Sequence, residues 1–467
     1  MPPVTPRRGA GPLAGLLAGL LAGLVGSTLA LVPATAHAAD PTPDLPAQGT
    51  AWFGAELDWD SDSPRRYVDR LGTDVSLLAR PVAYPLTDGS RRALRRLART
   101  SAEQGATSVV DLQPATALDG LDADDAETLV AELDELSEAH GSRFLLRFAA
   151  EMNGSWTPWG QQPTAYVAAF RQLAEVVHAE AEAAWTVWAP AYGAGYPYGG
   201  AIDGVRLGSV TSASDARDAK RLDTDGSGDL APGDDPYGPY YPGDEAVDWV
   251  GLTMLRYGVS QRFGANVQPG SDELAARLDE DFGYGAPGTR TSFYDRFADS
   301  RDQPMLLVTG ALYNPAGKGV TEREVKRTWL QQVASAVRSR PQLRAVVWLE
   351  DTRFEPEVGG VVRWDLTATN GLSRLSARLL ERGPFDLGPA ITPPEKPEDP
   401  QEPGSTPPAR SDVDDDEAEG GSFLERAEDT TGVPVEGAAS LLGAIVLLVG
   451  VSLALRARRR RMRPPWL

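Results

Sequence analysis

Residues 144–160 read Phe-Leu-Leu-Arg-Phe-Ala-Ala-Glu-Met-Asn-Gly-Ser-Trp-Thr-Pro-Trp-Gly. The apolar opening, 144–149, is too short for a helix of average length and is followed by Asn153-Gly154 and Pro158, so it reads as a buried strand. Beyond its end stand a carboxyl (Glu151), an amide (Asn153) and two indoles (Trp156 and Trp159). A short apolar strand that discharges into acid, amide and aromatic rings is the pattern of a site built where a strand stops.

Working outward, similar runs occur at 52–57, 75–82, 107–112, 185–189, 249–255, 305–309 and 343–348. With 144–149 they make eight candidate strands. Amphipathic helical patterns fill many of the intervals, at 91–103, 126–140, 164–180, 322–338 and, closing the series, 372–380. The fifth and sixth intervals carry no clear helix. Alternation of this kind predicts parallel βα units, and eight of them over 45–388 fit a (β/α)8 TIM barrel with loop insertions. An open doubly wound sheet is the alternative, but no Gly-rich fingerprint follows the first strand.

In such a barrel, chemistry sits at the C-terminal ends of the strands. Glu151 stands there. In a partly apolar pocket its carboxyl would be favoured in the protonated form and would suit a general acid, while indole faces stack on sugar C–H surfaces. The bland alternative is that Glu151 pairs with Arg147 and the tryptophans are core.

The stretch resembles glycoside hydrolase family 26, the β-mannanase family, whose acid/base glutamate lies in R-x-x-H-E-M-N-G-x-W-x-P-W-G. The likeness extends to Val187-Trp188-Ala189-Pro190, to residues 240–251 around Tyr241, and to Trp348 with Glu350. It implies a TIM barrel acting on a β-linked polysaccharide such as β-mannan, with Glu151 as acid/base, Asn153, Trp156 and Trp159 beside the sugar, and Trp188, Tyr241 and Trp348 as further contacts.

Two departures stand out. Ala150 replaces the histidine before the glutamate. The seventh strand, which in the family reads approximately K-P-x-x-I-A-E-T and supplies the nucleophile, reads Gln-Pro-Met-Leu-Leu-Val-Thr-Gly-Ala from 303 to 311, without a carboxylate. A retaining glycosidase needs two carboxyls about 5–5.5 Å apart. Val308 cannot attack, and Thr309 has no evident base, because His37 lies in the export segment and His140 and His178 fall in helical patterns. Glu350, two residues beyond Trp348, shares that side chain's face; if both face the barrel mouth, Glu350 would activate water across a gap of roughly 6.5–9.5 Å. Asp58 is a weaker candidate, and for both the alternative is an orienting or structural carboxylate.

A second motif precedes the sixth strand. Asp223, Asp225 and Ser227 fall at positions 1, 3 and 5 of an EF-hand-like loop, Gly226 and Gly228 supply its turns, Asp229 offers a backbone carbonyl, and Asp234 takes position 12. The reading is a lone structural Ca2+ loop, with a solvated Asp/Gly turn as the alternative; no cofactor is required for catalysis.

The 467 residues contain no cysteine and carry a net charge of -21. This excludes thiolate metal sites and argues against nucleic acid as a partner. Residues 1–38 read as a signal peptide: Arg7 and Arg8, an apolar run, then Ala36-His37-Ala38, with an uncleaved anchor as the alternative. Residues 389–432 form an acidic, Pro-rich linker expected to be disordered. Within 434–455, residues 437–455 are uncharged and would span about 28 Å as a helix, close to a bilayer core. The Arg-rich tail 456–467 then places the C-terminus in the cytoplasm and the barrel outside the cell membrane. Two functions stay open, a surface glycoside hydrolase and a catalytically inactive glycan-binding relative; a purely structural envelope role is a third.

Overall fold

The computed structural model describes residues 45–198, 216–259, 262–280 and 292–391. Residues 1–38, read as a signal peptide, the expected linker 389–432 apart from its first three residues, the apolar run 434–455 and the tail 456–467 lie outside the described residues. Among the described residues no helix is long and apolar enough to cross a membrane.

Eight parallel strands form the centre: β1 (Ala51–Leu57), β2 (Leu77–Tyr84), β3 (Thr107–Pro114), β4 (Phe144–Phe148), β5 (Ala184–Trp188), β6 (Trp249–Arg256), β7 (Met305–Ala311) and β8 (Leu343–Glu350). Each pairs with its successor, and β8 returns to β1, with Trp52 opposite Ala345 and Leu57 opposite Glu350. The sheet therefore closes, and the expected eight-stranded barrel is what forms.

The helices are α1 (Pro64–Leu71), α2 (Asp88–Glu103), α3 (Ala123–His140), α4 (Pro163–Glu180), α5 (Ala216–Leu222), α6 (Glu273–Leu278), α7 (Glu322–Ser339) and α8 (Asn370–Glu381). Thr87, Asp122 and Thr321 open α2, α3 and α7 with reciprocal capping boxes, which satisfy backbone N–H groups that a helix start leaves orphaned. Among the described residues the α-helices of the fifth and sixth crossovers are the short α5 and α6, too brief to leave a strong helical period in the sequence.

Alternation along the strands splits the apolar residues into two cores. Trp52, Leu77, Ala79, Val109, Leu145, Trp185, Val187, Ala189, Trp249, Leu306, Val308, Ala345 and Val347 fill the lumen. Their sequence neighbours, among them Phe53, Val110, Leu146, Trp188, Leu307 and Trp348, face the helices. The lumen is tight: a Cβ on Gly54 would stand 2.0 Å from the Leu77 carbonyl oxygen, so only glycine lets β1 approach β2 there.

The floor is closed by the ends of the domain. Leu45 and Ala390 pack against the lumen core. Residues Phe385–Asp386 pair in parallel with the start of β1. The Ser76 hydroxyl donates to the carbonyls of Asp386 and Gly388 at 2.6 and 2.8 Å. The floor of the barrel, at the N-terminal ends of its strands, is thus plugged.

Candidate active site

After β4 the chain turns sharply. Ala149 and Glu151 adopt φ of 45° and 61°, the left-handed region that side-chain-bearing residues seldom occupy. Such backbone costs on the order of 1–3 kcal/mol per residue and persists only where its surroundings enforce it. They do so here: the Ala149 N–H donates to the Leu112 carbonyl and the Glu151 N–H to the Ala189 carbonyl, each at 2.8 Å, which ties the turn to β3 and to the end of β5.

The strained turn leaves the Glu151 side chain half-buried. The Trp156 indole N–H donates to its Oε2 at 2.8 Å, and the Trp159 indole N–H donates to the Ala150 carbonyl at 3.0 Å. Both indoles are half-buried and pack against the outer core, Trp156 also edge-on to Tyr198. Gly154 is needed for this arrangement, because a Cβ there would lie 2.4 Å from the Trp156 ring.

Below Glu151 the lumen becomes polar. Arg147, buried and pointing inward between Leu145 and the turn, donates to Asp111 Oδ1 at 2.6 Å and to the Thr253 hydroxyl at 3.1 Å. Asp111 continues the inward parity of Val109 on β3, and Glu56 continues that of Trp52 on β1. Burial pushes the Asp111 carboxyl up to about 7; Arg147 opposes this, while Glu56 and Glu151 add to it. Tyr257, just past β6, has a buried hydroxyl without a partner among the described residues, and Glu151 is near enough to help raise its pKa after burial and Glu355. Sequence reasoning missed Glu56, Asp111 and Tyr257; the only signal for the first two is strand parity.

Several expected site residues lie elsewhere. Asn153 is fully buried and acts as a staple: its amide donates to the Ala191 carbonyl at 2.9 Å and its carbonyl accepts from the Ala191 N–H at 2.8 Å. Trp188 faces outward, because Val187 and Ala189 hold the lumen positions, and it packs against Phe293, Phe297 and Tyr241. Tyr241 belongs to this outer cluster, with its hydroxyl donating to Asp244 at 2.7 Å.

Trp348 and Glu350 do share a face, as alternation requires, but it is the outward one. The Trp348 indole donates to the Trp364 carbonyl at 2.9 Å. Glu350 accepts the Leu366 N–H at 2.8 Å, the Thr367 N–H at 2.9 Å and the Thr367 hydroxyl, so it holds the loop before α8 and cannot activate water in the mouth. Asp58 caps its own turn, accepting from Asp60 N and the Ser61 hydroxyl.

On β7, Thr309 is buried on the outer face, donating to the Met254 carbonyl and accepting from the Trp329 indole. Val308 faces the lumen, and at Gly310 a Cβ would lie 3.2 Å from the Trp364 ring. The seventh strand therefore offers the mouth no nucleophile.

In the loop before β6, the carboxylates of Asp223, Asp225 and Asp234 converge, with one oxygen of each within 4.8 Å of the others. Asp234 is buried and accepts from Thr224 N, Asp225 N and Ala231 N, which ties the loop into a ring. Ser227 N donates to Asp225 and Gly228 N to Asp223. The Ser227 hydroxyl donates to the Asp229 carbonyl at 2.9 Å, so both of those expected oxygen ligands are engaged with each other.

No family model and no curated protein matches the chain. Among solved structures, GH26A from Muricauda sp. MAR_2010_75 is similar at 13% identity, over 72% of this chain and 91% of that one, with a TM-score of 0.41. A modular endo-β-1,4-mannanase from Cellulomonas fimi is similar at 15% identity, over 72% of each chain, with a TM-score of 0.42. A fungal β-1,4-galactanase is similar at 11% identity, over 70% of this chain and 93% of that one, with a TM-score of 0.41. At these identities and TM-scores the likenesses assign no family and locate no site.

Proposed function

We propose that this domain is a glycan-active barrel displayed at the cell surface, holding a β-linked polysaccharide in its mouth with Glu151 as the proton donor of hydrolysis. The observation that carries the reading is the pairing of the Glu151 carboxyl with the Trp156 indole at 2.8 Å, on a strained turn at the C-terminal end of β4. A strand-end acid fixed by a half-exposed aromatic ring joins a proton source to a stacking surface for a pyranose. The motif in 144–160 makes β-mannan the first polymer to test. The test is electrophoresis of the full chain, purified in detergent, through gels containing β-mannan, with reducing ends measured in parallel. Retardation together with reducing ends that vanish in Glu151→Gln is expected; equal migration with and without glycan overturns the reading.

One observation favours a second reading, a receptor that grips glycan without cutting it: β7 brings no carboxylate to the mouth, and the Trp364 ring packs beside Gly310. Retardation without new reducing ends would select it. The export segment, the acidic linker and the apolar run before the Arg tail support attachment of the barrel to the outer face of the cell membrane. The convergence of Asp223, Asp225 and Asp234 supports a structural Ca2+ in the loop before β6, with oxygen ligands of the kind that ion takes.

A further inference from the structure

We propose that Glu56 is the second carboxyl of this mouth, the base that activates water against the bond whose oxygen Glu151 protonates. This rests on the reading of Glu151 as proton donor and supplies the partner that β7 does not.

Parity places Glu56. On β1, Trp52 belongs to the lumen core, while Phe53, Ala55 and Leu57 belong to the outer core. Glu56 is therefore an inward position, next to the strand's last residue, Leu57. Its register partners are Ala79 on β2 and Leu349 on β8. It is half-buried, as a residue at the rim should be.

Ring order places it relative to Glu151. In a closed barrel of eight strands taken in sequence order, β1 lies three strands from β4 in one direction and β7 lies three strands from it in the other. A carboxyl on β1 is thus separated from a β4 acid by the same number of strands as one on β7. Lumen positions on β7 hold Val308 and Gly310, which bring no acid.

Availability singles it out. Asp111 is tied to Arg147 at 2.6 Å, Asp58 caps a turn, and Glu350 holds the loop before α8. Among the described residues no hydrogen bond or ion pair engages the half-buried Glu56 carboxylate. Glu56 and Asp111 take inward positions on β1 and β3, Arg147 an inward position on β4, and Glu151 follows on the turn beyond it.

The step is a single displacement. A water gives one proton to Glu56 as its oxygen bonds to the anomeric carbon. The bond from that carbon to the leaving oxygen breaks, its electron pair stays on the oxygen, and the oxygen takes the proton of Glu151. Glu56 ends protonated and Glu151 ionised, and exchange with solvent restores both. The product has inverted configuration.

The test uses the full chain in detergent with β-mannan, β-1,4-galactan and mixed-linkage β-glucan. On whichever polymer is cut, Glu56→Gln is expected to lower reducing-end release by about 100-fold or more, with gel retardation and thermal midpoint unchanged. Proton NMR of the first product is expected to show the inverted anomer. Release within about threefold of wild type in Glu56→Gln, or a retained anomer, overturns the proposal. Retardation of wild type without any reducing ends sinks this inference and leaves glycan binding standing, whereas no retardation by any of the three polymers removes both.

Discussion

Glu350→Gln tests whether this carboxyl belongs to the scaffold. It is nearly inaccessible, and its two oxygens serve the N–H groups of Leu366 and Thr367 and the Thr367 hydroxyl. Glutamine offers one acceptor oxygen and one NH2, so one of those buried N–H groups must face another donor, at a cost of about 1–3 kcal/mol. Titration adds a second signature. Burial, then Asp365, push the Glu350 carboxyl up to about 7 from 4.5, against the pull of the Thr367 hydroxyl, the Leu366 N–H and Lys326. A carboxyl whose pKa is higher in the folded chain contributes stability that is fully present below its unfolded pKa and is lost as pH rises through its folded one. For this shift the loss is about 3 kcal/mol, falling between pH ~4.5 and just above 7. Urea denaturation of wild type and Glu350→Gln at several pH values from 5 to 8 should therefore show the variant less stable at pH 5, with the gap narrowing or reversing by pH 8. Glycan retardation and reducing-end release, measured well below the midpoint, should match wild type. Parallel stability curves would refute the placement of the charge, and loss of glycan processing without loss of stability would return Glu350 to the chemistry.

Three further outcomes follow from the site. Trp156→Phe keeps an aromatic face but removes the donor to Glu151, so reducing-end release should fall about tenfold or more, the loss expected of a hydrogen bond to a charged group, while gel retardation remains; Trp156→Ala should lose both, and retardation equal to wild type would contradict the stacking surface. Arg147→Met leaves Asp111 buried without its cation and should destabilise the fold by about 3–5 kcal/mol in denaturant titration, with a loss under about 1 kcal/mol counting against the pair as structural. Calcium at 100 times its Kd should stabilise wild type by about 2.7 kcal/mol, seen as a raised thermal midpoint that Asp225→Asn abolishes; an unchanged midpoint would leave the loop as a hydrogen-bonded turn.

The barrel was legible because each βα unit repeats a local pattern, and the caps at Thr87, Asp122 and Thr321 agree with it. Glu151 and Trp156 were legible because a strand end fixes its neighbours within one turn. Inward and outward were not legible for Trp188, Trp348 and Glu350. Both faces of a barrel strand are apolar, so periodicity alone does not say which set fills the lumen. The answer depends on how the whole ring packs: Trp52, Trp185 and Trp249 share the lumen with Val187, Ala189 and Val347, while Trp188 and Trp348 pack under the helices. Glu56 and Asp111 become visible only once that parity is known. Asn153 was misjudged because its partner, the backbone of Ala191, comes from the next βα unit. The short α5 and α6 left too few turns to read.

The most direct test of the central claim is a crystal structure of the Glu151→Gln chain with a bound β-mannan oligosaccharide. A sugar ring is expected against the Trp156 indole, with a glycosidic oxygen within hydrogen-bond reach of the residue 151 amide and a water between Glu56 and the anomeric carbon. An oligosaccharide bound away from the C-terminal mouth of the barrel would contradict it.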